Sequence, residues 1–283
     1  CVIPSIRGRY RSVPMEQLLN EARKLAADGV SELILVAQEV TLYGVDLYGE
    51  KSLPLLLNEL NDIEGLQWIR LLYCYPEEID DALIHAIASL PKVCHYIDMP
   101  IQHADDHILK RMGRRTSRAD IEEVIGRLRA AIPDICIRTT VICGFPGETE
   151  EAHRTLLDFI QQIRFDRLGA FAYSREEGTP AYEMPGQIDE EMKNSRTEEV
   201  MLLQQKVIEE KNRALVGSIQ TVFIEGKVAD EEDVYVGRTY RDAPDVDGYV
   251  FIESPYELMS GRLVDVKINE AREYDLIGVL AER

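Results

Sequence analysis

The stretch best suited to chemistry is Gly144-Phe145-Pro146-Gly147-Glu148-Thr149, where two glycines bracket a Phe-Pro pair and force a tight turn. The run Thr139-Thr140-Val141-Ile142-Cys143 before it reads as a buried strand, and Glu148-Thr149-Glu150 opens a helix with acidic residues first. Such a loop meets a ligand when it joins a parallel strand to its helix, because ligands settle at strand carboxyl ends. It is not a Walker phosphate loop, since no Gly-Lys-Ser/Thr follows. A Gly-containing strand-helix turn is also ordinary punctuation, so the case rests on its surroundings. Glu148 is expected to support the dipole of the following helix rather than to react. Cys74, Cys94, Cys136 and Cys143 match no ligand spacing and read as core residues. No Ser-His-Asp arrangement or pair of catalytic carboxylates can be argued, which leaves a hydrolytic barrel as a weak alternative.

The elements that must position this loop repeat along the chain. Apolar strand-like runs at Leu33–Ala37, Trp68–Tyr73, Val93–Met99, Ile135–Cys143 and Arg167–Tyr173 alternate with amphipathic helices. The first helix begins near Pro14, with Ser12 or Val13 at its cap. A repeat of about 30 to 40 residues is the rhythm of right-handed crossovers and of a parallel sheet that curls toward a barrel. With a first strand supplied upstream, six strands would make an open barrel. Polar residues fall where that architecture wants them: Gln38, Glu39 and Tyr43-Gly44 after the first visible strand, Pro100, Gln102 and His103 after the third, and Ser174 to Thr179 after the fifth. Gln102 and His103 either satisfy loop backbone groups or line a site, and their shared rim favours a site.

A long helix, Asp189–Arg213, reads as a packing and connecting element. Beyond Gly217 come short strands separated by Gly and charged turns, the pattern of a small antiparallel barrel. The expected division is 1–212, with the connecting helix at about 189–213, and 213–283. From Arg213 to Arg283 there are 15 Asp/Glu against 8 Lys/Arg, the wrong sign for a nucleic-acid-binding barrel. The whole chain carries a formal charge of −19, which makes nucleic acid a poor direct substrate and a basic protein a better partner. No apolar run approaches the ~20 residues of a membrane span, and the opening arginines precede no apolar signal region. Five scattered cysteines fit reduced thiols and a cytoplasmic setting.

These residues resemble a known family. Cys1-Val2-Ile3-Pro4, followed by Arg7-Gly8 and Arg11-Ser12, is similar to the end of the radical-SAM methylthiotransferase signature, in which Cys-x-x-x-Cys-x-x-Cys precedes such a segment. Val36-Ala37-Gln38 with Tyr43-Gly44, and the Gly144 to Thr149 loop, resemble that family's strand ends. Three places resemble its RimO branch rather than the tRNA-modifying MiaB branch: Tyr43 to Tyr48, Glu176-Glu177-Gly178-Thr179, and Gly237-Arg238-Thr239 with Asp242 to Gly248.

The resemblance implies a partial (βα)6 TIM-like radical-SAM barrel followed by a small, OB-like TRAM barrel. It implies a methylthiotransferase acting on the β-carbon of an aspartate in small-subunit ribosomal protein twelve, with [4Fe–4S] clusters (two in the complete enzyme) and S-adenosyl-L-methionine as cofactors. Cys1 would be the third ligand of one cluster. Gln38 would meet the methionyl end of the cofactor, Gln102 and His103 the ribose side, and Ile142, Gly144 and Phe145 the adenine. Asp242, Asp245 and Asp247 would dock the basic ribosomal protein. The family's first two cluster cysteines and its N-terminal domain are not in the sequence, so the chain reads as a fragment that is inactive alone. A tRNA methylthiotransferase and a non-catalytic module docking on a basic ribosomal protein are the rival readings.

Overall fold

The computed structural model describes residues 2–281. The chain runs through α1 (Ile3–Arg7), α2 (Met15–Ala27), β1 (Glu32–Leu35), α3 (Val45–Tyr48), α4 (Leu53–Asn61), β2 (Trp68–Leu71), α5 (Asp81–Ser89) and β3 (Val93–Asp98). It continues through α6 (Asp106–Arg111), α7 (Arg118–Ala131), β4 (Cys136–Cys143), α8 (Glu150–Ile163), β5 (Arg167–Ala172) and α9 (Glu190–Arg213). Five further strands close the chain: β6 (Ile219–Lys227), β7 (Val234–Thr239), β8 (Val250–Glu253), β9 (Leu263–Arg272) and β10 (Asp275–Leu280).

The first five strands form one parallel sheet in sequence order, β1 to β5, as the alternation predicts. The helices start where side chains satisfy free N–H groups. Asp80, Asp105, Ser117, Thr149 and Asp189 each accept from a first-turn amide of α5, α6, α7, α8 and α9. Strand β4 shows how the sheet divides its faces. Ile137, Val141 and Cys143 join the aliphatic core under the helices, whereas Cys136, Arg138, Thr140 and Ile142 face the barrel interior.

Strands β6 to β10 make a closed barrel in the order β10-β8-β7-β6-β9 around Val222, Ile224, Val250, Ile252, Val266, Ile268 and Leu276. Four of its pairings are antiparallel, but β8 and β10 run parallel, against the fully antiparallel barrel expected. The reason is parity: strand directions cannot alternate around a ring of five, so one pair must agree.

The small barrel seals the amino-terminal end of the sheet. Trp68 stacks on Phe223 with ring centroids 5.6 Å apart, and Arg70 lies 4.5 Å from the Tyr96 ring while donating to Glu32 (2.9 Å) and to the Tyr240 carbonyl (2.7 Å). Arg238 bridges Glu32 and Glu225. Arg138 spans Asp98 (2.8 Å) and Asp247 (3.3 Å), and Tyr96 Oη donates to Asp247 at 3.0 Å. Arg167 pairs with Asp242, and Asp166 receives both Arg241 (3.0 Å) and Lys211 (2.7 Å).

This seam corrects an expectation. Asp242 is 2% exposed and the Asp247 side chain is equally enclosed, so neither offers a carboxylate to a docking protein. Each answers an arginine of the large barrel, Arg167 buried and Arg138 largely so, because an arginine facing a barrel interior needs an acceptor there. Of the three, only Asp245 stands exposed, in a left-handed turn at φ 61°.

Candidate functional site at the strand carboxyl ends

The opposite end of the sheet is open. Val36 and Phe171 project there with most of their surface exposed, and Ile142 is half-buried beside them. Large apolar side chains gathered at strand carboxyl ends are the usual wall of a small-molecule site. A separate open cleft between α2 and α4, lined by Arg23, Glu59, Asp62 and Glu64, lies on the outer helical face away from these strand ends.

The β4–α8 loop is held by a buried polar network centred on Glu148. Its carboxylate accepts from the Gly144 N–H at 2.8 Å and from Arg196 Nη1 at 3.0 Å, and Arg196 also donates to the Glu148 carbonyl at 3.0 Å. His103, fully enclosed, accepts the Asp105 N–H on Nδ1 at 2.9 Å. The ring proton of the neutral form therefore sits on Nε2, 3.5 Å from Glu148 Oε2, an electrostatic contact rather than a hydrogen bond. Burial alone would raise the Glu148 carboxyl, but the His103 ring, the Gly144 amide and the Arg196 guanidinium outweigh it and hold it below the ordinary carboxylate range.

Gly144 itself sits at φ 75°, and a Cβ there would overlap the Lys193 side chain, so no other residue fits the turn. Lys193 Nζ donates to the Tyr173 carbonyl at 2.9 Å and pairs with Glu190, clamping the end of β5 against the same loop. Arg111 closes the far side, donating to the Pro146 carbonyl at 2.9 Å and the Pro185 carbonyl at 3.1 Å.

The sequence-predicted residues separate into two groups. Gln38 is exposed just beyond β1, and Gln102 rejoins the sheet as a parallel bridge to Val141, its N–H on the Thr140 carbonyl (2.9 Å) and its carbonyl on the Ile142 N–H (2.8 Å). Those two, with Ile142 and Gly144, occupy one rim. His103 and Phe145 lie behind it: His103 has both ring nitrogens turned to protein groups, and Phe145, 7% exposed, meets Tyr173 edge-on at 5.2 Å. Neither presents its ring to the open rim. Thr149 caps α8, accepting from the Ala152 N–H at 3.2 Å, with Glu148 one residue before it.

Lys193 and Arg196 escaped sequence reasoning because charged side chains on a packing and connecting helix read as its solvated face. Their signal was positional: Lys193, Arg196 and Val200, three and four residues apart, lie on one buried stripe.

Cys1, the expected cluster ligand, lies outside the described residues. Among the described residues no group of three or more His, Cys, Asp or Glu could hold a metal ion. Cys74, Cys94, Cys136 and Cys143 are buried, and burial pushes the Cys94 thiol up to about 11 and the Cys143 thiol up to about 12. Thiols so disfavoured as thiolates are core residues, and a cluster would not draw on them.

Comparison with known proteins agrees with this geometry. The Radical SAM superfamily profile matches residues 1–160 and the TRAM domain profile residues 216–280. The chain is 55% identical over 278 residues to a protein of Lachnoclostridium phytofermentans named Ribosomal protein uS12 methylthiotransferase RimO, covering 98% of this chain and 63% of that protein. A Geobacter sulfurreducens protein of the same name is 51% identical, over 98% of this chain and 62% of its own length. The chain thus spans about three-fifths of the length of the curated relatives it matches. Among solved structures, the radical SAM enzyme coproporphyrinogen III oxidase (HemN) from Escherichia coli superposes with a TM-score of 0.52 at 12% identity, over 80% of this chain and 60% of that one, a likeness of fold alone. With a parallel sheet open at its strand carboxyl ends, a glycine loop braced over that opening and a superfamily match across more than half its residues, this chain belongs to the radical SAM superfamily.

Proposed function

We propose that this protein is a methylthiotransferase that adds a methylthio group to the β-carbon of an aspartate in ribosomal protein uS12, using [4Fe–4S] clusters and S-adenosyl-L-methionine. The observation that carries the reading is the 55% identity to a protein named for that activity, sustained through both barrels. The branch-specific segments at Tyr43 to Tyr48, Glu176 to Thr179 and Gly237 to Gly248 support it. Two arginines of the small barrel also favour a protein over a nucleic-acid substrate, since Arg238 and Arg241 are spent on Glu32, Glu225 and Asp166 in the seam.

The division of labour follows the expected domains. Residues 1–212 hold the cofactor, residues 213–283 contribute to docking, and Asp245 alone remains of the proposed docking carboxylates. The cluster has no assigned ligand among the described residues, and Cys1 stays its proposed ligand. The rim fits an adenosyl ligand better: Ile142 offers an apolar face, the backbone at Gly144 allows close approach, and Gln38 and Gln102 offer amide donors and acceptors to the methionyl and ribose ends. Bound together, the two cofactors supply hydrogen-atom abstraction from an unactivated carbon. The chain's own work is to exclude water from that step and to hold the loop still. Glu148 fixes the Gly144 amide, Arg196 and His103 fix Glu148, and the adenine end then meets a preorganised surface. A cytoplasmic location goes with a ribosomal substrate.

The test offers the reconstituted enzyme both purified uS12 and bulk tRNA, with S-adenosyl-L-methionine and a reductant, and locates methylthio groups by tandem mass spectrometry. A methylthio group on one aspartate of uS12 is expected. Modification of tRNA adenosine with uS12 untouched contradicts the reading.

A further inference from the structure

On the strands of a small closed barrel, side chains alternate between core and solvent, and the outward set is normally polar. Strand β9 keeps to this rule, with Asp265, Lys267 and Asn269 exposed. The face formed by β7, β8 and β10 does not. Register sets Val236, Phe251 and Ile277 side by side across the three strands, and Val234, Glu253 and Val279 side by side in the next row. The residues between them, Tyr235, Val250, Ile252 and Leu276, fill the barrel core, so both rows point outward. In the seam, the outward ring of Phe223 is covered by Trp68. The apolar residues of the two rows are half-buried and belong to no hydrophobic cluster among the described residues. Apolar side chains gathered on one outer face of a small barrel mark an interaction surface.

The face is also hollow. An open cleft of about 290 Å³ is lined by Val228, Glu231, Val234, Phe251, Glu253 and Ile277, which places apolar side chains and two carboxylates at one accessible surface. Elsewhere on the small barrel Glu225, Asp242, Asp247 and Glu270 are each met by an arginine. Glu231 and Glu253 are exposed, and neither has an ion pair among the described residues. Lys227 on β6 and Lys267 on β9 flank the face without pairing with either. The turn between β6 and β7 adds Asp230, Glu232 and Asp233, all exposed. An apolar floor with an acidic rim repels phosphate and suits a side chain with an aliphatic stem and a cationic head.

We infer that the β7–β8–β10 face is a docking site for a basic segment of uS12, whose lysine or arginine stems lie on Phe251 and Ile277 while the charged heads reach Glu231 and Glu253. The inference rests on uS12 being the substrate, and it moves the docking carboxylates from the buried Asp242 and Asp247 to this face. The formal charge of −19 steers a basic partner toward the enzyme, and the cleft gives it a place to settle. The small barrel stands at the end of the sheet away from the reacting rim. Contact there holds substrate and transition state equally, so it lowers KM for the protein substrate and leaves kcat alone.

The test measures binding of the reconstituted enzyme to immobilised uS12 at about 0.1 M and about 0.5 M salt, with steady-state kinetics, sedimentation and thermal unfolding, for wild type, Phe251→Thr and the double variant Glu231→Lys, Glu253→Lys. The double variant is expected to weaken binding about tenfold at the lower salt and less at the higher, with an unchanged melting temperature because both glutamates are exposed. Phe251→Thr is expected to weaken binding severalfold at both, because an apolar contact is not screened. In each, KM for uS12 rises and kcat holds. Should Phe251→Thr fail to fold, the double variant alone decides. Wild-type affinity in the double variant overturns the inference, as does a fall in kcat with KM unchanged. A wild-type dimer that Phe251→Thr splits also overturns it, since the face then serves a second copy of the chain. Those results leave the proposed reaction standing. A wild-type enzyme that neither binds nor modifies uS12 overturns both.

Discussion

Single side chains at the rim carry charge where water is scarce, and this sets a pH signature. Glu39, beside Gln38, accepts the Thr41 N–H at 2.8 Å and the Tyr75 N–H at 3.1 Å, and contacts the Thr41 hydroxyl. Burial nevertheless pushes its carboxyl up to about 7, the Thr41 and Tyr75 bonds only partly opposing it. A carboxyl raised in the folded state binds its proton more tightly there than in the unfolded chain, so its stabilising contribution is present below the ordinary value of 4.5 and is lost as pH rises through about 7. Thermal unfolding followed from about pH 5 to about pH 8 should therefore show a fall in stability that Glu39→Gln flattens. An equal slope in both proteins would place the titrating group elsewhere. At this scale the sequence was partly legible. The tight turn at Gly144 was legible because two glycines around a Phe-Pro pair force one, and Gly144 sits at φ 75°. Asp242 misled because an aspartate in a Gly- and Pro-containing loop looks solvated, and its partner Arg167 is 75 residues away along the chain.

Among the elements, α9 does the least expected work. Its first turns grip the rim through Lys193 and Arg196, and further along Gln204 Nε2 donates to the Phe165 carbonyl at 2.9 Å. At its far end Lys211 meets Asp166 and Asn212 Nδ2 donates to the Glu273 carbonyl at 3.1 Å, in the small barrel. One helix of 24 residues thus touches the site loop, the sheet and the second barrel. The alternation of strands and helices was legible because each has its own apolar period, and so was this helix, but not its grip on the rim and the second barrel. Beside the buried Val200, Val207 and Ile208, those contacts are made by polar side chains at buried positions, and periodicity records only apolar ones. Lys206 lies on its exposed side, so Lys206→Pro breaks the helix without emptying a packed position. The break should cost about 3 kcal/mol or more and split calorimetric unfolding into two transitions. A single transition at the wild-type temperature would show that α9 does not join the two barrels mechanically.

At the scale of the whole molecule, the two barrels keep separate cores and meet in one buried polar seam. Arg70, Arg138 and Arg167 point from the sheet toward the seam, and the second barrel meets them with the Tyr240 carbonyl, Asp247 and Asp242. Removing one partner of such a pair strands a buried charge, so Asp242→Ala should cost about 3 to 5 kcal/mol. Because the pair is enclosed, the loss should be nearly the same at about 0.05 M and about 0.5 M salt, where a surface pair would be screened. A loss that shrinks with salt would mean that the seam admits solvent. The sequence indicated two barrels in this order, but not that the small one stoppers the large. That arrangement leaves the strand carboxyl ends as the way in, where the proposed adenosyl cofactor would sit. A crystal structure of the reconstituted enzyme with S-adenosyl-L-methionine decides the matter. The adenine is expected against Ile142 and the Gly144 backbone, with Gln38 and Gln102 within hydrogen-bonding reach of the rest. Density for the cofactor away from that rim, for instance in the α2–α4 cleft beside Arg23 and Glu59, would contradict it.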